Sequence, residues 1–175
     1  VVAQTLEVDI PQFAGLSVGV MRKLKQLLQI ISQISPFKPN YSDLARDISV
    51  KRDDLKEYIF YMEKSGMIQG LTAPDKGLNL LAKIDKIYLD NTNLMHVLCG
   101  DNCEIGNIRE TFFFNQMKVR NTVTSSPASD FYVNDKYTFE VGGRKKGKKQ
   151  IKDVENSYVV KDDIEKGHLN VIPLW

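Results

Sequence analysis

No apolar run in this 175-residue chain approaches the roughly 18 residues that a membrane span needs. The opening residues, VVAQTLEVDIPQ, also lack the basic-then-apolar layout of a signal peptide. No membrane partner is therefore expected, and a cytoplasmic location follows by default. Cysteine is scarce: Cys99 and Cys103 are spaced C-x3-C, and His96 and His168 are the two histidines. A closed zinc site needs four ligands, so it would take this whole set, and the spacing fits no common zinc pattern. Reduced thiols are expected instead. Charge of one sign is scarce too. With 24 Lys+Arg against 22 Asp+Glu the formal net charge is +2, too small to announce a nucleic-acid binder by composition, so its placement matters. Position 1 is Val, and the first helix-like segment opens without a preceding strand or glycine loop, as expected of a piece of a longer chain, with a processed N-terminus as the plain alternative.

What is present is enough for a core. At 42% hydrophobic residues the chain can fold as one domain or two small ones. Leu24, Leu27, Leu28, Ile31 and Ile34 recur at helical spacing, and SPFKPN closes that helix with two prolines. A short helix over 41–48, a Ser49-Val50 turn and a longer helix over 51–65 follow, with Leu55, Tyr58, Ile59 and Met62 inward and Gly66 at the C-cap. Strands over 67–71 and 79–82, joined by TAPDKG, complete a layout that resembles winged-helix domains. The second helix of that motif carries Lys51, Arg52, Lys56 and Lys64 against Asp53, Asp54, Glu57 and Glu63, a balance that favours protein contacts over DNA reading.

A boundary near residue 83 separates this part from a second domain over 84–175. Its expected elements are a strand over 84–89, a short helix over 92–98 and a helix over 105–120. Asn107 is the expected N-cap of that last helix, with Glu110 at N3. Strands over 131–133 and 137–141 with an Asn134-Asp135 turn come next, then a short helix over 150–154, a strand over 157–161 and a terminal extended IPLW. The expected class is α+β or α/β: a winged-helix domain over 1–83, then a small α/β domain with a mixed sheet.

The stretch DFYVNDKYTFEVGGRKKGKKQ, Asp130 to Gln150, sets two carboxylates near the ends of neighbouring strands and follows them with dense positive charge. Five of the six residues from Arg144 to Lys149 are basic, so Arg144, Lys145, Lys146, Lys148 and Lys149 are candidates to grip phosphates. The plain alternatives are a solvated loop, a turn residue at Asp130 and a dipole-favoured acid at Glu110. Helical Glu110, Asp130 before one strand, Glu140 on the next and the cations beyond resemble the PD-(D/E)XK, or restriction-endonuclease-like, family. That resemblance implies Mg²⁺ held by Glu110, Asp130 and Glu140, with a lysine two residues beyond the second acid serving hydrolysis. Gly142 stands at the lysine's place, so Lys145 or Lys146, beyond the Gly142-Gly143 pair, is the cation that would replace it. Lys145 is carried forward as that candidate.

The phrases KIYLDNTNLMHVL, NIRETFFFNQ, FEVGG and IPLW resemble the C-terminal portion of bacterial and archaeal AAA+-type ATPases that carry a DUF4143 domain. That likeness implies an N-terminal ATPase module in cis. The chain itself contains no G-x-x-x-x-G-K-[ST] and so no nucleotide site. Three functions follow as expectations: a regulatory region that contacts nucleic acid, an active Mg²⁺-dependent nuclease, or a module that binds a protein partner or a second copy of itself.

Overall fold

The computed structural model describes residues 1–74 and 84–175. The backbone divides into two compact units, Val1–Gly70 with Lys86–Gly100, and Leu71–Asp85 with Asp101–Trp175. The division differs from a single cut at residue 83 because Lys86–Gly100 goes with the first unit. There Phe37 and Ile87 exchange backbone hydrogen bonds of 3.2 and 2.8 Å, and the Gln69 side chain donates to the Asp90 carbonyl at 2.6 Å.

The first unit opens with α1 (Val2–Gln4), a π-helical turn (Thr5–Asp9) and α2 (Ile10–Ala14), ended by Gly15 at φ +62°. The α3 helix (Val18–Ile34) buries Leu24, Leu27, Leu28 and Ile31, the spacing its sequence showed. The α4 helix (Tyr41–Asp47) starts where the Asn40 side chain accepts from the backbone N–H groups of Ser42 and Asp43. Those two donors otherwise have no helical acceptor. Asn40→Ala is therefore expected to lower stability by about 1 kcal/mol, read as a lower urea midpoint with unchanged slope; an unchanged midpoint would remove this cap from the account. The α5 helix (Arg52–Lys64) buries Leu55, Tyr58, Ile59 and Met62. Gly66, at φ +70°, then turns the chain into β1 (Ile68–Thr72). The strand expected over 79–82 and the second half of its turn lie outside the described residues.

The β2 strand (Ile84–Leu89) leads to α6 (Thr92–Cys99), which Asn91 caps by accepting from Leu94 N–H at 3.0 Å. Gly100, at φ +57°, and a 3-10 turn over Gly100–Asn102 follow. Both cysteines are disulfide-bonded, which corrects the expected reduced thiols and occupies the sulfurs a zinc site would have used.

In the second unit α7 (Ile105–Met117) starts at the first residue of the expected 105–120 span and ends three residues short of it. Its N-cap is Glu104, whose carbonyl accepts from Ile108 N–H at 3.2 Å, so Asn107 lies inside the helix and Glu110 past its first turn. Phe113 and Phe114 on α7 pack on the sheet, with the Phe113 ring 5.1 Å from Phe131 and 5.2 Å from Phe139. The β3 strand (Val123–Ser125) was not foreseen. It pairs antiparallel with β4 (Phe131–Val133), which pairs antiparallel with β5 (Tyr137–Gly142). Asn134 and Asp135, both near φ +52°, make the left-handed turn that a tight hairpin requires. The β6 strand (Ser157–Lys161) lies parallel to β5, and β7 (Val171–Pro173) parallel to β6. The helix expected over 150–154 shrinks to a 3-10 turn, Lys149–Ile151, anchored by buried Ile151. The protein is thus mixed α/β, with a seven-stranded mixed sheet in the order β2-β1-β3-β4-β5-β6-β7. Among the described residues, no helix is long and apolar enough to cross a membrane.

Candidate functional site

Glu140 stands within β5, opposite Val159 of β6, and is 1% exposed. A carboxylate buried this fully must be neutralised or hydrogen-bonded. Both happen. The Ser129 hydroxyl donates to Oε2, and the Lys146 ammonium lies 2.5 Å from Oε1. With its amide turned so that nitrogen faces the carboxylate, Gln150 donates to both oxygens.

Asp130, just before β4, accepts from Val141 N–H at 2.8 Å. Burial pushes its carboxyl from 3.8 up to about 6, and repulsion by Glu110 adds to this. The Val141 hydrogen bond opposes the rise, Glu140 adds to it and Lys146 opposes it. For Lys146, burial works to lower the pKa, but the hydrogen bond and charge of Glu140, with Asp130 and Glu110, outweigh it and raise the ammonium above its ordinary range. Helix α7, the β4–β5 hairpin and the loop after β5 thus bring Glu110, Asp130, Glu140 and Lys146 into one electrostatic cluster.

The route of Lys146 depends on a missing side chain. Its N–H donates to the Gly143 carbonyl at 2.8 Å, and its stem doubles back over Gly142. A Cβ at Gly142 would lie 2.6–2.7 Å from Cβ, Cγ and Cδ of Lys146, closer than such contacts allow. The glycine that breaks the expected lysine position therefore makes room for a lysine arriving from four residues downstream. Lys145, the candidate carried from the sequence, is exposed and pairs with no acid among the described residues.

The rest of the loop faces solvent: Arg144, Lys145, Lys148 and Lys149 are exposed. The Lys148 ammonium donates to the Asn170 side chain, and Lys161 Nζ donates to the Arg144 carbonyl at 3.1 Å, so the loop is tied to the end of β6 and to the turn before β7. Four participants were missed in the sequence. Ser129 adjoins the Asp130 to Gln150 stretch and Gln150 ends it. Arg109 and Asp162, an ion pair 53 residues apart, carry no local signal at all.

The donors do not make a ligand shell for Mg²⁺ as they stand. Both Glu140 oxygens are engaged, one Asp130 oxygen holds Val141 N–H, and no group of three or more His, Cys, Asp or Glu among the described residues is placed to hold a metal ion.

No curated protein matches the chain. No solved structure matches it either. One family does match, over residues 1–104, a span that ends close to the last residue of the first unit. This overturns the likeness to AAA+-type ATPases with a DUF4143 domain. A different family claims the helical region and the NTNL phrase, while RETFF and FEVGG lie beyond the match, and the inferred ATPase module in cis falls with that likeness. Since the match covers more than half of its residues, the chain belongs to the family described as Domain of unknown function (DUF8612).

Proposed function

We propose that the second unit is a restriction-endonuclease-like domain that contacts the phosphodiester backbone of nucleic acid, with its acid cluster closed by Lys146. One observation carries the reading: the crossover between parallel strands β5 and β6 is a loop with four exposed cations, Arg144, Lys145, Lys148 and Lys149. Ligands of open α/β sheets gather outside the carboxyl ends of the strands, where this loop begins. The order α7, antiparallel β3-β4-β5, then parallel β6 supports the nuclease-like frame, as does the placing of Glu110, Asp130 and Glu140 on it. Lys146 cancels part of the negative charge that would otherwise repel a phosphate. In the first unit, the near balance of acids and bases on α5 supports protein contact in a winged-helix-like frame.

The expected result is binding of single- and double-stranded DNA without sequence preference, with a log–log salt slope of about −3 to −4 on duplex for four contacts. Removing the four loop cations together should abolish it. A salt-independent or absent interaction would leave the loop as a solvated surface and favour a protein-contact module. One observation favours a second reading: burial first, then repulsion by Glu110 and Glu140, raises the Asp130 carboxyl to about 6, and a divalent cation would relieve that repulsion. Mg²⁺- or Mn²⁺-dependent cleavage in the same samples, lost in Glu140→Ala, would establish that reading instead.

A further inference from the structure

Arg109 precedes Glu110 on α7, and its guanidinium is held from two sides at the ends of β5 and β6. Nε donates to Oδ2 of Asp162, the residue after β6, with side-chain exposures of 15% for the arginine and 4% for the aspartate. On the other side lies Gly143, the residue after β5. A Cβ there would sit 3.2 Å from the guanidinium carbon and from both Nη atoms, so that the guanidinium, which rests on the Gly143 backbone, would have to shift by a few tenths of an ångström.

The pairing is single-pronged. An arginine and a carboxylate that meet only for structure gain most from the two-bond fork. Here Asp162 Oδ1 is buried with no donor, and among the described residues the Nη groups of Arg109 have no acceptor. The Nε side is fixed and the Nη edge, with its fixed fork of donors, is open to an oxyanion. Gly143 joins that edge directly to the basic loop that starts at Arg144.

Resting on the reading of this unit as one that contacts nucleic acid, we infer that Arg109 binds a backbone phosphate, with Asp162 orienting the guanidinium and Gly143 seating it. The loop cations draw the strand in, and Arg109 holds one phosphate at a defined place beside the acid cluster.

Fluorescence anisotropy of the full chain with a labelled single strand and the matching duplex, between about 50 and 200 mM salt, tests this. Arg109→Lys keeps the charge facing Asp162 but loses the fork, and about tenfold weaker binding is expected. Arg109→Gln with Asp162→Asn leaves the net charge unchanged, so a slope on duplex shallower by about 0.9 would report one lost phosphate contact. Wild-type affinity and slope in both variants would overturn the inference and leave Arg109 as a structural partner of Asp162, with the loop reading intact. No binding by the wild type would overturn both readings. Thermal unfolding of each variant is followed alongside; should the double variant unfold early, Arg109→Lys decides.

Discussion

Lys146→Met is expected to lower the unfolding free energy by about 2–3 kcal/mol near neutral pH, whereas Lys145→Met changes it by no more than about 0.5 kcal/mol. The two lysines are neighbours in sequence and alike in chemistry, so the contrast isolates position. Removing the Lys146 ammonium leaves Glu140, 1% exposed, without its charge partner. Breaking a fully buried pair in this way costs about 3–5 kcal/mol, and the expectation is set lower because the Lys146 side chain is 36% exposed and water screens part of the attraction. Adding Glu140→Gln should recover much of the loss, because the buried charge goes with its partner. Gly142→Ala should act in the same direction by pushing the Lys146 stem off its seat. Urea unfolding of the four variants gives the answer. Equal stability of Lys146→Met and Lys145→Met would mean that the Lys146–Glu140 pair contributes nothing to the fold.

The second large effect is a dependence on pH that runs opposite to that of a salt-bridged acid. Asp130 titrates at about 6 in the folded chain against an ordinary 3.8, so folding disfavours its charged form. At pH 8 the group is ionised in both states, and the folded state bears a cost of about 3 kcal/mol for holding it charged. As pH falls through about 6 the folded state takes up the proton first and this cost shrinks. It is gone below about 3.8, where both states are protonated. Stability should therefore rise on acidification from neutrality, and Asp130→Asn should be more stable than wild type at pH 8 and lose this slope. The groups facing Asp130 are Glu110 on α7, Glu140 on β5, Lys146 on the loop and the Val141 N–H. Carbon-detected titration of the carboxyl checks the origin directly; a midpoint near 4 would show that burial and Glu110 do not act on it as described.

The two effects come from one arrangement, in which three acids and a lysine share a part-buried space. The loop cations Arg144, Lys145, Lys148 and Lys149 are exposed, whereas Glu140 is buried. Charge placement rather than the net charge of +2 therefore decides what this surface can attract.

Much of the architecture was legible in local pattern. Leu24, Leu27, Leu28 and Ile31 share one helix face because the α-helical period places them there, and they are buried in α3. The hairpin of β4 and β5 was legible from alternating apolar residues around Asn134-Asp135, a pair that tolerates the left-handed turn. The β3 strand was not, because Val123-Thr124-Ser125 has neither length nor apolar alternation, and only pairing with β4 makes it a strand. The cap of α7 was misread because Asn107 is a good cap by type, whereas the helix is already under way there and the extended residue before it is Glu104.

For the site, the sequence alone determined which residues carry charge near which strand: Glu110, Asp130, Glu140 and the run from Arg144 to Lys149. It also showed that the expected lysine is replaced by Gly142. The tertiary structure alone decided that Lys146, and not Lys145, turns back to Glu140, that Ser129 and Gln150 complete the carboxylate's partners, and that Arg109 meets Asp162. The physical reason is range. Helical and strand periods act between neighbours, while a buried charge selects its partner by where the folded backbone leaves space, here the room above Gly142 and the ends of two parallel strands.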